Sequence, residues 1–289
     1  MSGLQLVDNA RVESVARALS TISVDEVLAF EEASDPQYTL VSSLSREVGA
    51  GRAAVAAMLV GLASYRLAMR GEEWWECFYR EMRARLGRVE DLAGIAGEVL
   101  GFLDSCQGSV VGREGKKKRV SRAVSGARAV LQALLGDPGI LVERPREVLE
   151  QLRAALGERE YRKTVVFSLK IAYYAVRPLV GRKLLKVDIP IPVDARVACA
   201  SISSEIVRAR SYGDVVREPK HAQRAWGAVS KLSGIPVLHL DSILWVTGWA
   251  PRDLELEEAR IAVERSLSSV FGWSRARLIT RELVRRRCA

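Results

Sequence analysis

Histidine and asparagine are nearly missing from this chain of 289 residues: His221, His239 and Asn9 are the only ones. Cysteine is also scarce, with Cys77, Cys106, Cys199 and Cys288 well separated and no CxxC pair among them. So small a supply of imidazole and thiolate gives no signature for a zinc site or an iron–sulfur cluster. Scattered cysteines of a reducing cytosol read as small core residues. Long hydrophobic runs are absent too. The longest apolar stretch, Ala53 to Ala63, lies between Arg52 and Arg66 and is too short to span a bilayer. Asp8, Arg11 and Glu13 interrupt the N-terminal region, which therefore does not read as a secretory signal. A cytoplasmic location, with no membrane partner, is the default expectation.

The chain is rich in cations and helix formers. It holds 44 Lys and Arg against 35 Asp and Glu, a formal net charge of +9. Such an excess favours a polyanion, most commonly nucleic acid, as partner. Hydrophobic residues make up 48%, enough for a packed core. The scarcity of Asn beside abundant Arg and Glu fits a thermophile.

Helical signals dominate, so the fold class is mainly α. Ser23-Val24-Asp25-Glu26 reads as a capping box opening a helix through Phe30. Asp35-Pro36 reads as a second start, placing Gln37 and Tyr38 in an exposed first turn. A long Ala- and Leu-rich helix is expected over 52–69, and another over 72–86, with Trp75 and Tyr79 on one face. The three glycines of 107–115 predict a loop leading into Lys116-Lys117-Lys118-Arg119. Helix is expected again over 122–135, from about 146, and over 161–176. Two prolines in Asp188-Ile189-Pro190-Ile191-Pro192-Val193 make that piece extended and stiff, ending at Asp194 as a helix N-cap.

Some of these elements carry chemistry-bearing residues. On the helix from Tyr161, Lys163, Phe167, Lys170 and Tyr174 share a face, while Val165, Leu169, Ala172 and Val176 form the core stripe. The ordinary reading of the first face is a solvated one with snorkelling lysines. The chemical reading is a lysine in a semi-apolar pocket, its pKa lowered by desolvation and a second ammonium, able to attack carbon. Asp194 is accounted for by capping alone. The same geometry would also fix an anion where positive charge develops on a sugar. Asp241 and Trp245 share a helix face. They read either as N-cap and core filler or as carboxylate and aromatic wall of a base pocket, with Trp75 a second wall. The run Lys116 to Arg119 reads as a surface turn or a phosphate contact. Arg285-Arg286-Arg287 reads as a frayed tail.

Five segments, in order, together resemble one family, the archaeal 8-oxoguanine DNA glycosylase/AP lyases (archaeal GO glycosylases) of the helix-hairpin-helix superfamily. They are Asp35-Pro36-Gln37-Tyr38, Gly71-Glu72-Glu73-Trp74-Trp75, Lys163 to Phe167 with Lys170, Asp188 to Val197, and Gly234 to Trp245. The resemblance implies two helical lobes flanking a DNA-binding cleft, a divergent helix-hairpin-helix glycosylase fold. By analogy the first lobe is 1–50 plus 188–289 and the second 51–187. It implies Lys163 as Schiff-base nucleophile, Asp194 as catalytic aspartate, and Gln37, Trp75, Phe167, Lys170, Asp241 and Trp245 as lining of the oxidised-base pocket. It implies base excision repair in an archaeal, nucleoid-associated setting, on double-stranded DNA containing 8-oxoguanine, by a monomer that needs no metal or organic cofactor. Two rivals stand beside it: a monofunctional glycosylase in which Asp194 activates water, and a non-catalytic helical nucleic-acid-binding protein. The segment 154–162 has one glycine, Gly157, where typical hairpins are Gly-rich, which leaves the usual cation-assisted phosphate contact in doubt. The basic stretch after Gly248 carries no motif of the resemblance.

Overall fold

A computed structural model describes residues 6–288. Among them are eighteen α-helices and one two-stranded antiparallel pairing, so the fold is mainly helical with almost no sheet. No described helix is long and apolar enough to cross a membrane. The chain divides into two compact units, Met1–Asp35 with Asp188–Ala289, and Pro36–Val187.

The first unit opens with β1 (Leu6–Val7), α1 (Asn9–Leu19) and α2 (Val24–Ser34). The capping box expected at Ser23 is formed: its hydroxyl accepts from the Glu26 amide, and its own amide donates to the Glu26 carboxylate at 2.8 Å.

The second unit then runs through α3 (Pro36–Val48), α4 (Ala50–Ala63), α5 (Gly71–Arg85), α6 (Leu92–Ser105), α7 (Arg113–Gly126), α8 (Arg128–Gly136), α9 (Ile140–Glu143), α10 (Pro145–Ala155) and α11 (Lys163–Val180). The core of this unit is α11 laid against α4 and α3. From Ala53 to Ala63 every side chain of α4 is buried, as expected of a helix apolar all round. Gly61 lets the two backbones meet: a Cβ there would stand 2.8 Å from Cα of Ser168. The expected stripe of Val165, Leu169, Ala172 and Val176 is fully buried.

Four expectations for this unit are corrected. Residues 36–50 belong here and not with the N-terminal segment, because α3 packs on α4, α5 and α11. The helix expected to reach Met69 ends at Ala63, where the Ser64 amide and hydroxyl both bond the Gly61 carbonyl. The segment 107–115 is mostly ordered turn and helix, so Lys116 to Arg119 lie inside α7. Helix over 122–135 is interrupted at Ala127, between α7 and α8.

The chain returns to the first unit through 183–194, which forms neither helix nor strand; the prolines at 190 and 192 suit that stretch. It continues with α12 (Ala195–Ser203), β2 (Val207–Arg208), α13 (Tyr212–Arg217), α14 (Lys220–Ser233), α15 (Val237–Thr247), α16 (Ala250–Asp253), α17 (Leu256–Phe271) and α18 (Trp273–Leu283). β2 pairs with β1 through Leu6–Arg208 and Val7–Val207. α1 packs on α14 and α18, α2 on α15 and α17. Phe30 stacks on Phe271 at 5.2 Å between centroids. Buried Glu31 of α2 bonds His239 Nδ1 at 3.0 Å and accepts from the Ser242 hydroxyl at 2.7 Å, both on α15.

Two expectations about the C-terminal end are overturned. Cys199 and Cys288 form a disulfide rather than standing as separate core thiols; only Cys77 and Cys106 are free. The arginine run is not frayed. Arg285 and Arg286 amides both donate to the Ser203 carbonyl, Arg285 pairs with Glu205 at 2.8 Å, and Arg287 pairs with Glu255. The stretch after Gly248 builds α17 and α18, one flank of the first unit's core.

Candidate active site

In the second unit, α10 and α11 form a helical hairpin whose second helix begins at Lys163. Arg162 is the cap residue, in extended conformation, and its carbonyl accepts from the Val165 and Val166 amides. Lys163 therefore sits at the first helical position, exposed, at the end of the helix that carries partial positive charge. Arg119 of α7 braces this turn: its guanidinium lies 2.7 Å from the Glu158 carboxylate and donates to Thr164 Oγ1 at 3.0 Å.

Moving down α11, polarity gives way to burial. Phe167 is half-buried and meets Trp75 edge-on at 6.0 Å; Trp75 in turn packs edge-on against Trp74 and Phe78. Lys170 is 2% exposed, its ammonium 5.7 Å from the centre of the Tyr174 ring. Tyr174 meets Tyr38 edge-on at 5.4 Å, next in sequence to Gln37. Gln37 is 4% exposed, which corrects the expected exposed first turn: α3 lies on α11 and covers it. The expected solvated lysine face is likewise corrected. Only its first residue is open, and the semi-apolar surroundings foreseen for Lys163 belong to Lys170. Arg177, one turn further, is buried with its guanidinium 4.7 Å above the Tyr38 ring. The α11 face thus brings Phe167 to Trp75 and Lys170 to the tyrosines.

Most of the basic run is engaged within the protein. Lys116 is fully buried; its ammonium donates to the carbonyls of Ser109 at 3.3 Å and Arg66 at 3.4 Å, and lies 5.6 Å from the centre of the Tyr65 ring. Burial pulls its pKa below the usual lysine value. Lys117 pairs with Asp104 at 2.9 Å, and Arg119 is committed to the hairpin. Lys118 alone of the four is exposed.

In the first unit, Asp194 caps α12 as its position after the prolines predicts. One carboxylate oxygen accepts from the amides of Arg196 and Val197, each at 2.9 Å. Two bonds to backbone N–H groups at the helix N-terminus fix the orientation of the carboxylate. Asp241 is buried in mid-helix on α15 at 4% exposed, so it is not the N-cap that one reading allowed. Trp245, one turn on, is half-buried. The guanidinium of Arg196 lies over it, its central carbon 3.9 Å from the ring centroid, and donates to the Trp245 carbonyl at 3.2 Å. Arg196 was missed from sequence, although its place two residues past the cap, within the proline-rich motif, was the signal. Among the described residues no group of three or more His, Cys, Asp or Glu could hold a metal ion.

A family model described as N-glycosylase/DNA lyase, AGOG, matches residues 16–281. The chain belongs to the AGOG family of N-glycosylase/DNA lyases. The match runs through α17 and most of α18, so the stretch after Gly248 is part of the family's fold. The chain is 64% identical over 278 residues to the N-glycosylase/DNA lyase of Aeropyrum pernix, covering 96% of each protein. It is 31% identical to the Pyrobaculum aerophilum N-glycosylase/DNA lyase, covering 91% of this chain and 95% of that one. A crystal structure of the P. aerophilum 8-oxoguanine DNA glycosylase complexed with 8-oxoguanosine superposes with a TM-score of 0.73 at 30% identity, over 92% of this chain and 97% of that one. The P. aerophilum structure shares this chain's helical fold, both relatives are archaeal in source, and the two activities in the family's description are those of a DNA repair enzyme.

Proposed function

We propose that this N-glycosylase/DNA lyase removes 8-oxoguanine from duplex DNA, with Lys163 as nucleophile, and then cuts the strand by β-elimination. The observation that carries the reading is the gradient along α11. It presents one open amine at its first turn, followed on the same face by an aromatic contact and then a buried ammonium. An amine that attacks a sugar must be reachable, and Lys163 is, whereas Lys170 is enclosed.

In this reading the damaged nucleotide leaves the stack, at a cost of a few kcal/mol. Trp75, Phe167 and Trp245 supply apolar and stacking surface, worth roughly 1–3 kcal/mol per base–aromatic contact. Gln37, Lys170 and Asp241 are the polar groups that meet the base. The Lys163 amine attacks C1′, the C1′–N bond breaks, and the base departs. Asp194 offsets the positive charge growing on the sugar. The aminated sugar opens to a Schiff base between Lys163 and C1′. A proton leaves C2′, the electron pair moves into the conjugated system, and the 3′ phosphate is expelled. Every step uses groups of the protein and the DNA. The partner is double-stranded DNA, and the enzyme acts as a monomer in the cytoplasm, at the nucleoid.

Borohydride trapping on a duplex with one 8-oxoguanine tests this. Wild type is expected to yield a covalent adduct and Lys163→Gln none. A wild type that excises the base without an adduct would move the assignment to a monofunctional glycosylase with an Asp194-activated water. A chain with neither activity that binds the duplex would be a non-catalytic binder or an enzyme for another lesion.

A further inference from the structure

We infer that Arg196 is a positioning residue for base recognition, acting through Trp245. The inference rests on the reading above that Trp245 is a wall of the base pocket. Three contacts place Arg196 between the two candidate elements of the first unit. Its backbone amide holds the Asp194 carboxylate at 2.9 Å. Its guanidinium lies 3.9 Å from the centre of the Trp245 indole and donates to the Trp245 carbonyl at 3.2 Å. One side chain thus fixes both the ring and the backbone of a residue on another helix, α15.

An indole on a half-buried helix face has several rotamers open to it. A guanidinium over the ring, itself tethered to the backbone of the same residue, narrows that choice. The base then meets a surface already in place, so less side-chain ordering accompanies binding. The guanidinium is planar and weakly hydrated, which suits stacking better than an ammonium does. The bond to Asp194 uses the backbone N–H, which a side-chain substitution leaves in position. Arg196 therefore affects how tightly the lesion is held far more than how fast the bound lesion reacts.

The test is single-turnover excision with Arg196→Met, Arg196→Lys, Trp245→Ala and the Arg196→Met/Trp245→Ala double variant. Arg196→Met is expected to raise the half-saturating enzyme concentration about tenfold, the range of a desolvated cation–π contact. Its maximal rate should stay within about twofold. Arg196→Lys should recover part of the loss. In the Trp245→Ala background Arg196→Met should add almost nothing, because the residue it serves is gone. An undiminished effect in that background, or a salt-dependence slope smaller by about one, would make Arg196 a direct phosphate contact and overturn the proposal. A fall in maximal rate with unchanged half-saturation would overturn it too. If Trp245→Ala itself leaves half-saturation unchanged, the failure lies with Trp245 as a pocket wall, not with Arg196. Circular dichroism of each variant separates misfolding from these outcomes, and Arg196→Lys serves where Arg196→Met does not fold.

Discussion

Opening the Cys199–Cys288 bond is expected to destabilise the first unit by about 4.6 kcal/mol at 25 °C. The cysteines are 89 residues apart. Closing a loop of that length removes roughly 15 cal/mol/K of entropy from the unfolded chain, which gives the figure above. The folded state has little to lose directly. Both side chains are buried, and the tail stays tied through the Arg285 amide to the Ser203 carbonyl at 2.9 Å and the Cys288 amide to the Pro251 carbonyl at 3.1 Å. The assay is guanidinium unfolding of oxidised protein and of Cys288→Ala, followed by helical circular dichroism. Thiol counting accompanies it: two thiols should react in the unfolded unreduced chain and four after reduction. The native chain should resist alkylation at Cys77, whose thiol is pushed up to about 12, first by burial and then by its hydrogen bond to Cys106. Four thiols without reductant would remove the bond from the structure. Two thiols with a loss under about 1 kcal/mol would refute the entropic reasoning itself.

Asp194→Asn should keep the α12 cap, since an amide oxygen accepts the same two backbone bonds, and leave stability within about 0.5 kcal/mol. Asp194→Ala should cost about 1 kcal/mol. Under the proposed role Asn should still slow single-turnover excision by about 10²- to 10³-fold, and an unaltered rate would remove that role. Lys116 has a folded-state pKa below its usual 10.5, so the unfolded chain binds the extra proton between the two values. Wild type should then gain stability relative to Lys116→Met as pH rises toward 10.5, and a flat difference across that window would contradict the burial of the charge. Gly51→Ala would put a Cβ 2.1 Å from the Leu135 carbonyl oxygen, where α4 begins against the end of α8. A loss of about 2–3 kcal/mol in equilibrium unfolding is expected, and an unchanged transition midpoint would mean the two helix ends separate freely.

Local signals were legible where the chain itself dictates the answer. The Ser23 capping box, the proline-stiffened 188–193 and the Asp194 cap depend on neighbours within a few residues. So does the α11 core stripe, which follows from helical period alone. What failed depended on distant partners. Gln37 reads as exposed until α3 is laid on α11, and Lys116 reads as a surface cation until Ser109, Arg66 and Tyr65 enclose it. Cys199 and Cys288 carry no pairing signal across so long a separation. The division at Asp35 was hidden because a helix start says nothing about which neighbours the helix will have. For Lys163 and Lys170, period put both on one face, but only three-dimensional packing distinguishes the open amine from the enclosed one.

The way the first unit is assembled from both ends of the chain has a consequence for biosynthesis. The second unit is complete in sequence once residue 187 has left the ribosome, and it can collapse by itself while translation continues. The opening helices α1 and α2 must wait through the synthesis of roughly 100 further residues, some 5–20 s at ordinary rates, for α14, α15, α17 and α18 to cover them. The disulfide partner of Cys199 comes 89 residues later in the sequence. A prematurely terminated copy would therefore carry the Lys163 hairpin without a finished first unit.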